Sequence, residues 1–597
     1  MLLQMLRRIE HRGPDGGGWL EDDGTCLREG PRESLSERAA RPVPSGPFPA
    51  GPRIGLGHQR LAITDLSDSG RQPMSRANGR WWIVFNGAIY NAPELREELR
   101  SEGEEFTSST DTEVLLAAYV RWGPKALERF NGMWSFAIWD AERRELFCAR
   151  DRFAIKPFYY TSAGSRFAFA SEPKALRPVR APEANRERVR VFLEIGATLD
   201  NQESTCFASY KSLPAGSILR VDSRGPRVER WYDLDKNAAA IEAPANLEDA
   251  AERLRGLLED AVSIRLRADV PVGLLLSGGV DSSGIAGILG RDGHRGRFSG
   301  RTISTRYPGR PDIDESFYVA ESLRDSGLTG EFVEPSIDGF DEDLDELMDS
   351  LEELTPSSIF YAERLLYREA RRLGLTVMLS GQGSDELFAG YEPWDVHVAQ
   401  LWNRNERARA VREGFLSGRR RWGSLRGARH TFGVVRTARR PLPCGCEVDG
   451  SLQTHQRHLL VADYLPALLA FEDRNSMASG IEARLPFLDY RVVEFARTLQ
   501  DGFLLRNGWT KVVLRKALRG LVPVSILTRP RKLGLPGPLE GKAREAPRLV
   551  RDSWRRLAAG GWTPSGISEE DAVLDHNLGF RARVLDAWVR RCLRTDS

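Results

Sequence analysis

At 597 residues the chain is too long for one core and implies about two to four domains. With 41% hydrophobic and 28% charged residues it is neither a disordered chain nor a fibre, and no apolar run approaches the ~20 residues of a membrane span. A net charge of +2 gives no mandate for nucleic-acid binding, and no charged-then-apolar leader precedes the first motif. Six cysteines are scattered along the chain, which suits free thiols in a reducing cytoplasm. Cys444-Gly445-Cys446 has no second pair with which to hold zinc. Only nine of the 86 basic residues are Lys, so a Lys beside a candidate site carries weight: its compact ammonium is not interchangeable with guanidinium.

Residues 1 to about 200 alternate short β-like runs with Gly, Asn and Asp turns. The runs are Ile54–His58, Arg80–Phe85, Ser135–Trp139, Glu145–Ala149, Pro157–Thr161 and Arg166–Ala170. Apolar residues at three-to-four spacing predict helices over Ala92–Glu102 and Asp111–Trp122. Together they suggest an α+β sandwich. Residues 203–235 carry further strands, and Lys236–Asn246 is small, polar and Pro-containing, as a linker is.

The period changes at Leu247. An amphipathic helix over Leu247–Arg267 leads into a continuous apolar strand over Val270–Ser277, then a Gly-rich turn and a helix over Ser283–Gly290. Strand Gly300–Tyr307, helix Ser316–Ser326, helix Tyr361–Leu373 and strand Thr376–Ser380 follow, and after Asp463 the chain reads as mainly helical. Strands apolar on both faces, alternating with helices, indicate a parallel sheet wrapped by helices. Residues 404–440 form an insertion with 12 Arg against two acids. It lacks the interleaved aromatics of a nucleic-acid site and reads as a solvated helical excursion.

The strongest chemical signal is Ser277-Gly278-Gly279-Val280-Asp281-Ser282-Ser283, which closes a strand and opens a helix. Two glycines permit a tight turn, so backbone N–H groups and the helix N-terminus face an anion. The serines add hydroxyl donors, and Asp281 offers a carboxylate to a divalent cation. This is not the common phosphate loop, which needs Gly-x-x-x-x-Gly-Lys-Ser/Thr. A second strand ends in Ser380-Gly381-Gln382-Gly383-Ser384-Asp385-Glu386, again glycines followed by acids. Asp281 and Asp385 together could hold Mg²⁺ between phosphates, since magnesium prefers carboxylates plus phosphate oxygens.

The first loop resembles the pyrophosphate loop of ATP pyrophosphatases, and the whole chain resembles the glutamine-hydrolysing asparagine synthetase family. The N-terminal matches are His11-Arg12-Gly13-Pro14-Asp15-Gly16, Gly57-His58-Gln59-Arg60-Leu61, Phe85-Asn86-Gly87-Ala88-Ile89-Tyr90-Asn91, Ser109-Thr110-Asp111-Thr112-Glu113, Asn131-Gly132-Met133-Trp134 and Ala149-Arg150-Asp151-Arg152. The C-terminal ones are Asp473-Arg474-Asn475-Ser476-Met477, Glu482-Ala483-Arg484-Leu485-Pro486-Phe487-Leu488-Asp489 and Arg531-Lys532-Leu533-Gly534.

The resemblance implies an α+β glutaminase sandwich of the N-terminal nucleophile hydrolase type over 1–200, connecting strands and linker over 201–246, and an α/β ATP pyrophosphatase domain over 247–597. It implies that Arg60 holds the glutamine carboxylate, a role suited to a guanidinium fork. Asp111 takes the α-ammonium, and Asn86 with Gly87 forms the oxyanion hole. Leu275, Thr305, Ser380 and Gly381 contact adenine and ribose. Ser277, Gly278, Gly279, Asp281 and Ser282 cradle the pyrophosphate, Asp281 and Asp385 hold Mg²⁺, and Lys532 stabilises charge during transfer. Residues Leu351–Ala362 are expected to line part of the acceptor pocket.

Three departures stand out. The family's nucleophile is an N-terminal Cys, whereas this sequence begins Met1-Leu2-Leu3-Gln4 and has no Cys before Cys26, so the first strand and the nucleophile are expected to be missing and glutamine hydrolysis is in question. Ala88 stands where the family usually has Glu. Gln382 replaces the Glu that assists acyl-adenylate chemistry; Gln cannot serve as a base, though it can orient a nucleophile. The expected activity is a cytoplasmic ligase that uses ATP, aspartate and either ammonia or glutamine to give asparagine, AMP and pyrophosphate. It has no nucleic-acid or membrane partner, and a homodimer is left open. The alternatives are amidation or ring closure of a different acid in natural-product or cell-surface biosynthesis, and a non-catalytic nucleotide-binding relative.

Overall fold

The computed structural model describes all residues except 23–26, 32–40, 43–53, 197–202, 295, 392, 423–451, 463, 531–533, 540–545, 565 and 594–597. Cys26, Cys444, Cys446, Lys532 and the distal part of the Arg-rich insertion therefore lie outside the described residues. The proximal part of that insertion is the helix Arg407–Trp422.

The N-terminal half is built on a six-stranded antiparallel sheet in the order Gly225–Arg230, Ser217–Asp222, Glu145–Arg150, Gly132–Asp140, Trp81–Ile89, Met74–Arg76. The side-chain period of two decides what each face covers. Ile83 and Phe85 point to helices Ala92–Ser101 and Asp111–Trp122, where they pack with Leu95, Leu99 and Leu115. Trp82 and Val84 point the other way, onto Leu20 and Leu56 of a four-stranded antiparallel sheet that includes Gly17–Asp22 and Ile54–Gln59. This is the sandwich expected from the alternating runs. Helix Leu2–Arg8 lies on the strand Ile54–Gln59, with Leu6 against Gly57 and the Gln59 side-chain amide donating to the Leu6 carbonyl at 2.9 Å.

Asn-Gly is a turn dipeptide, yet Asn86 and Gly87 sit inside the strand Trp81–Ile89, in register with Ser135 and Trp134. Gly87 has φ +147°, and a Cβ there would fall 2.1 Å from the Met133 carbonyl oxygen. The close approach of two strands, not a reversal of the chain, is what requires glycine.

The predicted linker begins with a short helix, Leu234–Ala238, capped by the Asp233 carboxylate. Helix Leu247–Arg265 starts where the sequence places it, because the Asn246 side chain accepts from the Asp249 amide at 3.0 Å. The C-terminal half is a five-stranded parallel sheet in the order Thr329–Val333, Arg301–Thr305, Val272–Leu275, Val377–Leu379, Glu482–Arg484. Two of these strands escape the sequence reading. Thr329–Val333 is an edge strand with no fully buried residue, and Glu482–Arg484 carries two buried charged side chains that pair at 2.8 Å, Arg484 also donating to the Arg265 and Arg267 carbonyls.

The halves share one core, in which Ile63, Met133 and Phe153 pack with Leu254, Leu258 and Phe487. Polar ties cross the same seam. Asp473 accepts from Arg12 at 2.8 Å and from Lys156 at 3.3 Å, while Arg12 also reaches Glu172 at 2.9 Å. Asp489 accepts from Asn131 and from Arg265, each at 3.0 Å. Several motifs that carry the family resemblance thus act as joints between the halves. Among the described residues no helix is long and apolar enough to cross a membrane.

Candidate active site

The order of the parallel sheet reverses between Val272–Leu275 and Val377–Leu379, two adjacent inner strands. In open α/β sheets, ligands bind in the crevice beyond the carboxyl ends of the strands at such a point. Both Gly-rich loops leave from these two ends. Leu275 ends one strand and Thr305 ends its neighbour, so both border the same crevice.

In the first loop the Ser277 amide donates to the Ser282 hydroxyl at 3.1 Å, and the two hydroxyls lie 3.1 Å apart. The helix begins at Val280, three residues earlier than its apolar spacing suggests, with Gly279 as N-cap and no side-chain cap. Its first amides are consequently left for another acceptor. Gly278 turns at φ +72°, against Tyr318. In the second loop the Gln382 amide donates to the Ser380 hydroxyl at 3.4 Å. Gly381 is close enough to the first loop that its Cβ would lie 3.3 Å from the Ser282 nitrogen. The structure therefore brings together Ser277, Gly278, Gly279, Asp281, Ser282, Ser380, Gly381, Gln382 and Asp385.

What joins the two acids is a residue that the sequence reading missed. Lys511 Nζ lies 2.6 Å from Asp281 Oδ1 and 2.5 Å from Asp385 Oδ1, and the Ser384 hydroxyl donates to Asp281 at 2.7 Å. Lys511 is 3% exposed and caps helix Val512–Ala517 from a left-handed conformation, φ 54°. Gly390 makes room for it, since a Cβ there would meet Asp385 Oδ1 at 1.7 Å and Lys511 Cε at 2.5 Å. The scarcity of lysine in this chain was the available signal.

The two carboxylates converge as a magnesium site requires, and two carboxylates with phosphate oxygens form a fitting donor set for that ion. The ammonium of Lys511 now bridges them. Among the described residues, no group of three or more His, Cys, Asp or Glu gathers around one point. Lys532 lies outside the described residues, in a stretch whose two flanks are anchored. On one side Arg529 pairs with Glu315 and stacks on Tyr318 behind the first loop; on the other, Gly537 packs on Ser358. The Arg529 fork is thus engaged with protein. Most of Leu351–Ala362 is buried, with Leu351, Leu354 and Phe360 in a core shared with helices Pro547–Ala559 and His576–Cys592.

In the N-terminal half, Arg60, Asn86, Gly87 and Asp111 line one cavity of about 1170 Å³, together with Glu482 and Arg484 from the other half. Asp111 accepts from the Ile89 amide at 2.9 Å, and burial pushes its carboxyl up to about 6. The Arg60 guanidinium donates to the Ser67 carbonyl at 2.6 Å and to the Asp65 carbonyl, and burial holds its pKa below the ordinary value despite nearby Asp65, Asp15, Asp68 and Asp111. The Asn86 amide donates to the Ser171 hydroxyl at 3.3 Å. The described cysteines, Cys148, Cys206 and Cys592, are buried with thiols pushed up, and none lines this cavity.

The glutamine amidotransferase domain profile matches residues 32–232, and the asparagine synthase profile matches residues 253–575, more than half of the chain. The chain belongs to the asparagine synthetase family. Within it, the glutamine-hydrolyzing asparagine synthetase 3 of Bacillus subtilis (strain 168) is 31% identical over 498 residues, which are 79% of this chain and 78% of that one. The glutamine-hydrolyzing asparagine synthetase 1 of the same organism is 28% identical over 584 residues, covering 90% and 84%. Amidase chry2 of Gibberella zeae is 25% identical over 626 residues, covering 90% and 86%. Membership of the asparagine synthetase family accounts for both sites at once: an amidotransferase fold joined to an ATP-dependent ligase fold.

Proposed function

We propose that the chain is an AMP-forming amide ligase that joins aspartate to ammonia, with ATP as the activating substrate. The observation that carries this reading is the meeting of two Gly-rich loops at the reversal point of the parallel sheet, with Asp281 and Asp385 converging beside them. A pyrophosphate leaving group suits this arrangement. The uncapped first amides of helix Val280–Leu289, with Ser277, Gly278, Gly279 and Ser282, face its charge. Leu275, Thr305, Ser380 and Gly381 border the nucleoside side of the crevice. Asp281 and Asp385 would hold Mg²⁺, which would screen phosphate charge. Lys532 stabilises charge on the leaving group, and Gln382 orients the reacting groups through its amide.

The attack of an aspartate carboxylate oxygen on the α-phosphorus gives β-aspartyl-AMP and pyrophosphate. Ammonia then adds to the acyl carbon, and AMP leaves as asparagine forms. In the other half, Arg60 and Asp111 bind the glutamine backbone, and Asn86 with Gly87 supplies donors for an oxyanion. We assign 1–200 to this amidotransferase unit, 201–246 to the connection and 247–597 to the ligase, in a cytoplasmic protein.

The test is the identity of the inorganic product. With Mg-ATP and aspartate the protein releases pyrophosphate; release of orthophosphate and ADP would overturn the assignment. The same assay run across other carboxylic acids separates aspartate from a different acceptor.

A further inference from the structure

A pair of glutamates lies beside the second loop and has no part in the reading above. Helix Ile359–Arg372 buries Phe360, Leu366, Tyr367 and Ala370. Glu363 sits in the middle of that buried stripe, at i+3 from Phe360 and i−4 from Tyr367, yet it is only half-buried. Its carboxylate accepts from the Asn475 side-chain amide at 2.7 Å.

Glu472, on helix Tyr464–Ala478, stands opposite and is 3% exposed. It accepts from the Tyr367 hydroxyl at 3.1 Å and lies within hydrogen-bonding reach of the Ser380 hydroxyl, the first residue of the second loop. Its Oε2 is buried with no hydrogen-bond partner among the described residues. The charged groups that face the pair are few. Lys156 favours the Glu472 carboxylate and Asp473 opposes it; Asp473 is itself held by Arg12 and Lys156. Glu363 faces Glu472 and the neutral Asn475. Burial raises both carboxyls above the ordinary carboxylate range, and the Glu472 charge raises Glu363 further, so the pair holds a proton more readily than free carboxylates do.

Amide formation from an acyl adenylate must dispose of a proton. The C–N bond forms as the nitrogen lone pair adds to the acyl carbon, the C–O bond to AMP breaks, AMP leaves with the electron pair, and the nitrogen sheds one proton. Gln382, in the second loop, has no basic atom with which to take it. We infer that the Glu363–Glu472 pair is the acceptor of that proton, with Glu363 facing the attacking nitrogen and Glu472 positioning it from behind. The pair then returns the proton to water as AMP departs. This inference rests on the ligase reading above.

The experiment uses the full chain with ATP, aspartate and hydroxylamine, a nucleophile that stays largely unprotonated at neutral pH. ATP–pyrophosphate exchange reports adenylation, and hydroxamate formation reports the second half-reaction. In Glu363→Gln, exchange is little changed while hydroxamate formation falls about a hundredfold, the usual scale for loss of a positioned base. Glu363→Asp recovers part of that loss. In Glu472→Gln the repulsion is gone, Glu363 becomes more acidic, and the acid limb of the hydroxamate pH profile moves to lower pH. Hydroxamate formation at the wild-type rate in Glu363→Gln would overturn the inference. So would equal losses of exchange and hydroxamate, or an acid limb unmoved in Glu472→Gln. Absence of exchange in the wild-type protein with every acid would instead overturn the ligase reading, and the inference with it.

Discussion

The two candidate sites are built on opposite plans. In the N-terminal half the candidate residues are side chains carried by an antiparallel sandwich: Asn86 and Gly87 inside a strand, Asp111 at a helix start, Arg60 just past a strand. In the C-terminal half they are mostly backbone, two loops at the ends of parallel strands, closed from outside by Lys511. A site of side chains tolerates a change at one position with a graded loss. A site of loops pinned by one buried ammonium is lost as a unit.

The sharpest way to break the comparison is Asp281→Asn. It removes one of the two carboxylates facing Lys511, and pyrophosphate release is expected to vanish while the chain still unfolds cooperatively, at a midpoint lowered by the loss of a buried partner for Lys511. Retained turnover would mean that Asp281 is scaffolding.

Acid stability comes next, and it compares a buried imidazole in each half. Burial pushes His397 down to about 4, and no partner among the described residues meets either ring nitrogen. The folded protein therefore keeps this imidazole neutral where the unfolded chain begins to take a proton near 6.5. Stability falls as pH drops from about 6.5 to about 4, by about 3 kcal/mol for this group, and then levels off. His58, in the other half, is also pushed down to about 4 by burial and adds a loss of the same sign. Denaturant titrations of His397→Gln at both pH values check this; an unchanged acid loss would remove His397 from the account.

Lys532→Ala is expected to lower turnover roughly a hundredfold with little change in ATP binding, as for a contact made mainly in the transition state. Lys532→Arg does not fully restore it, because a planar fork places its charge differently. Wild-type turnover in the Ala variant would make this residue an ordinary surface cation.

The smallest effect is expected in the N-terminal cavity. Asp111→Asn weakens glutamine binding, measured by calorimetry, by about tenfold, the worth of one hydrogen bond to a charged group. Ammonia-dependent amide formation should stay as it was. If that rate fell equally, the two sites would not be separable by mutation.

What was legible in the sequence was what local rules encode. Helix Asp111–Trp122 was found to the residue, because the Thr110 hydroxyl caps it at 3.2 Å and its apolar positions recur at helical spacing. Both Gly-rich loops were legible because glycines, serines and an acid follow an apolar strand. The edge strand Thr329–Val333 was not, since it buries too little to leave an apolar run. Lys511 was invisible to motif reading because its role is set by two carboxylates far along the chain, one of them 230 positions away, contacts of tertiary origin. Glu363 did leave a trace: an acid on the apolar stripe of its own helix is a local inconsistency, and such conflicts gather at functional sites.

Gly390 has a practical consequence for anyone who would transplant this two-loop site. Grafting the two loops onto another parallel sheet would carry over the serines and both acids, yet leave behind the absent methyl group at 390 and the lysine at 511. Without the first there is no room for the ammonium, and without the second the carboxylates repel. The portable unit is four separated stretches of chain, and a donor scaffold must offer all four anchorages at once.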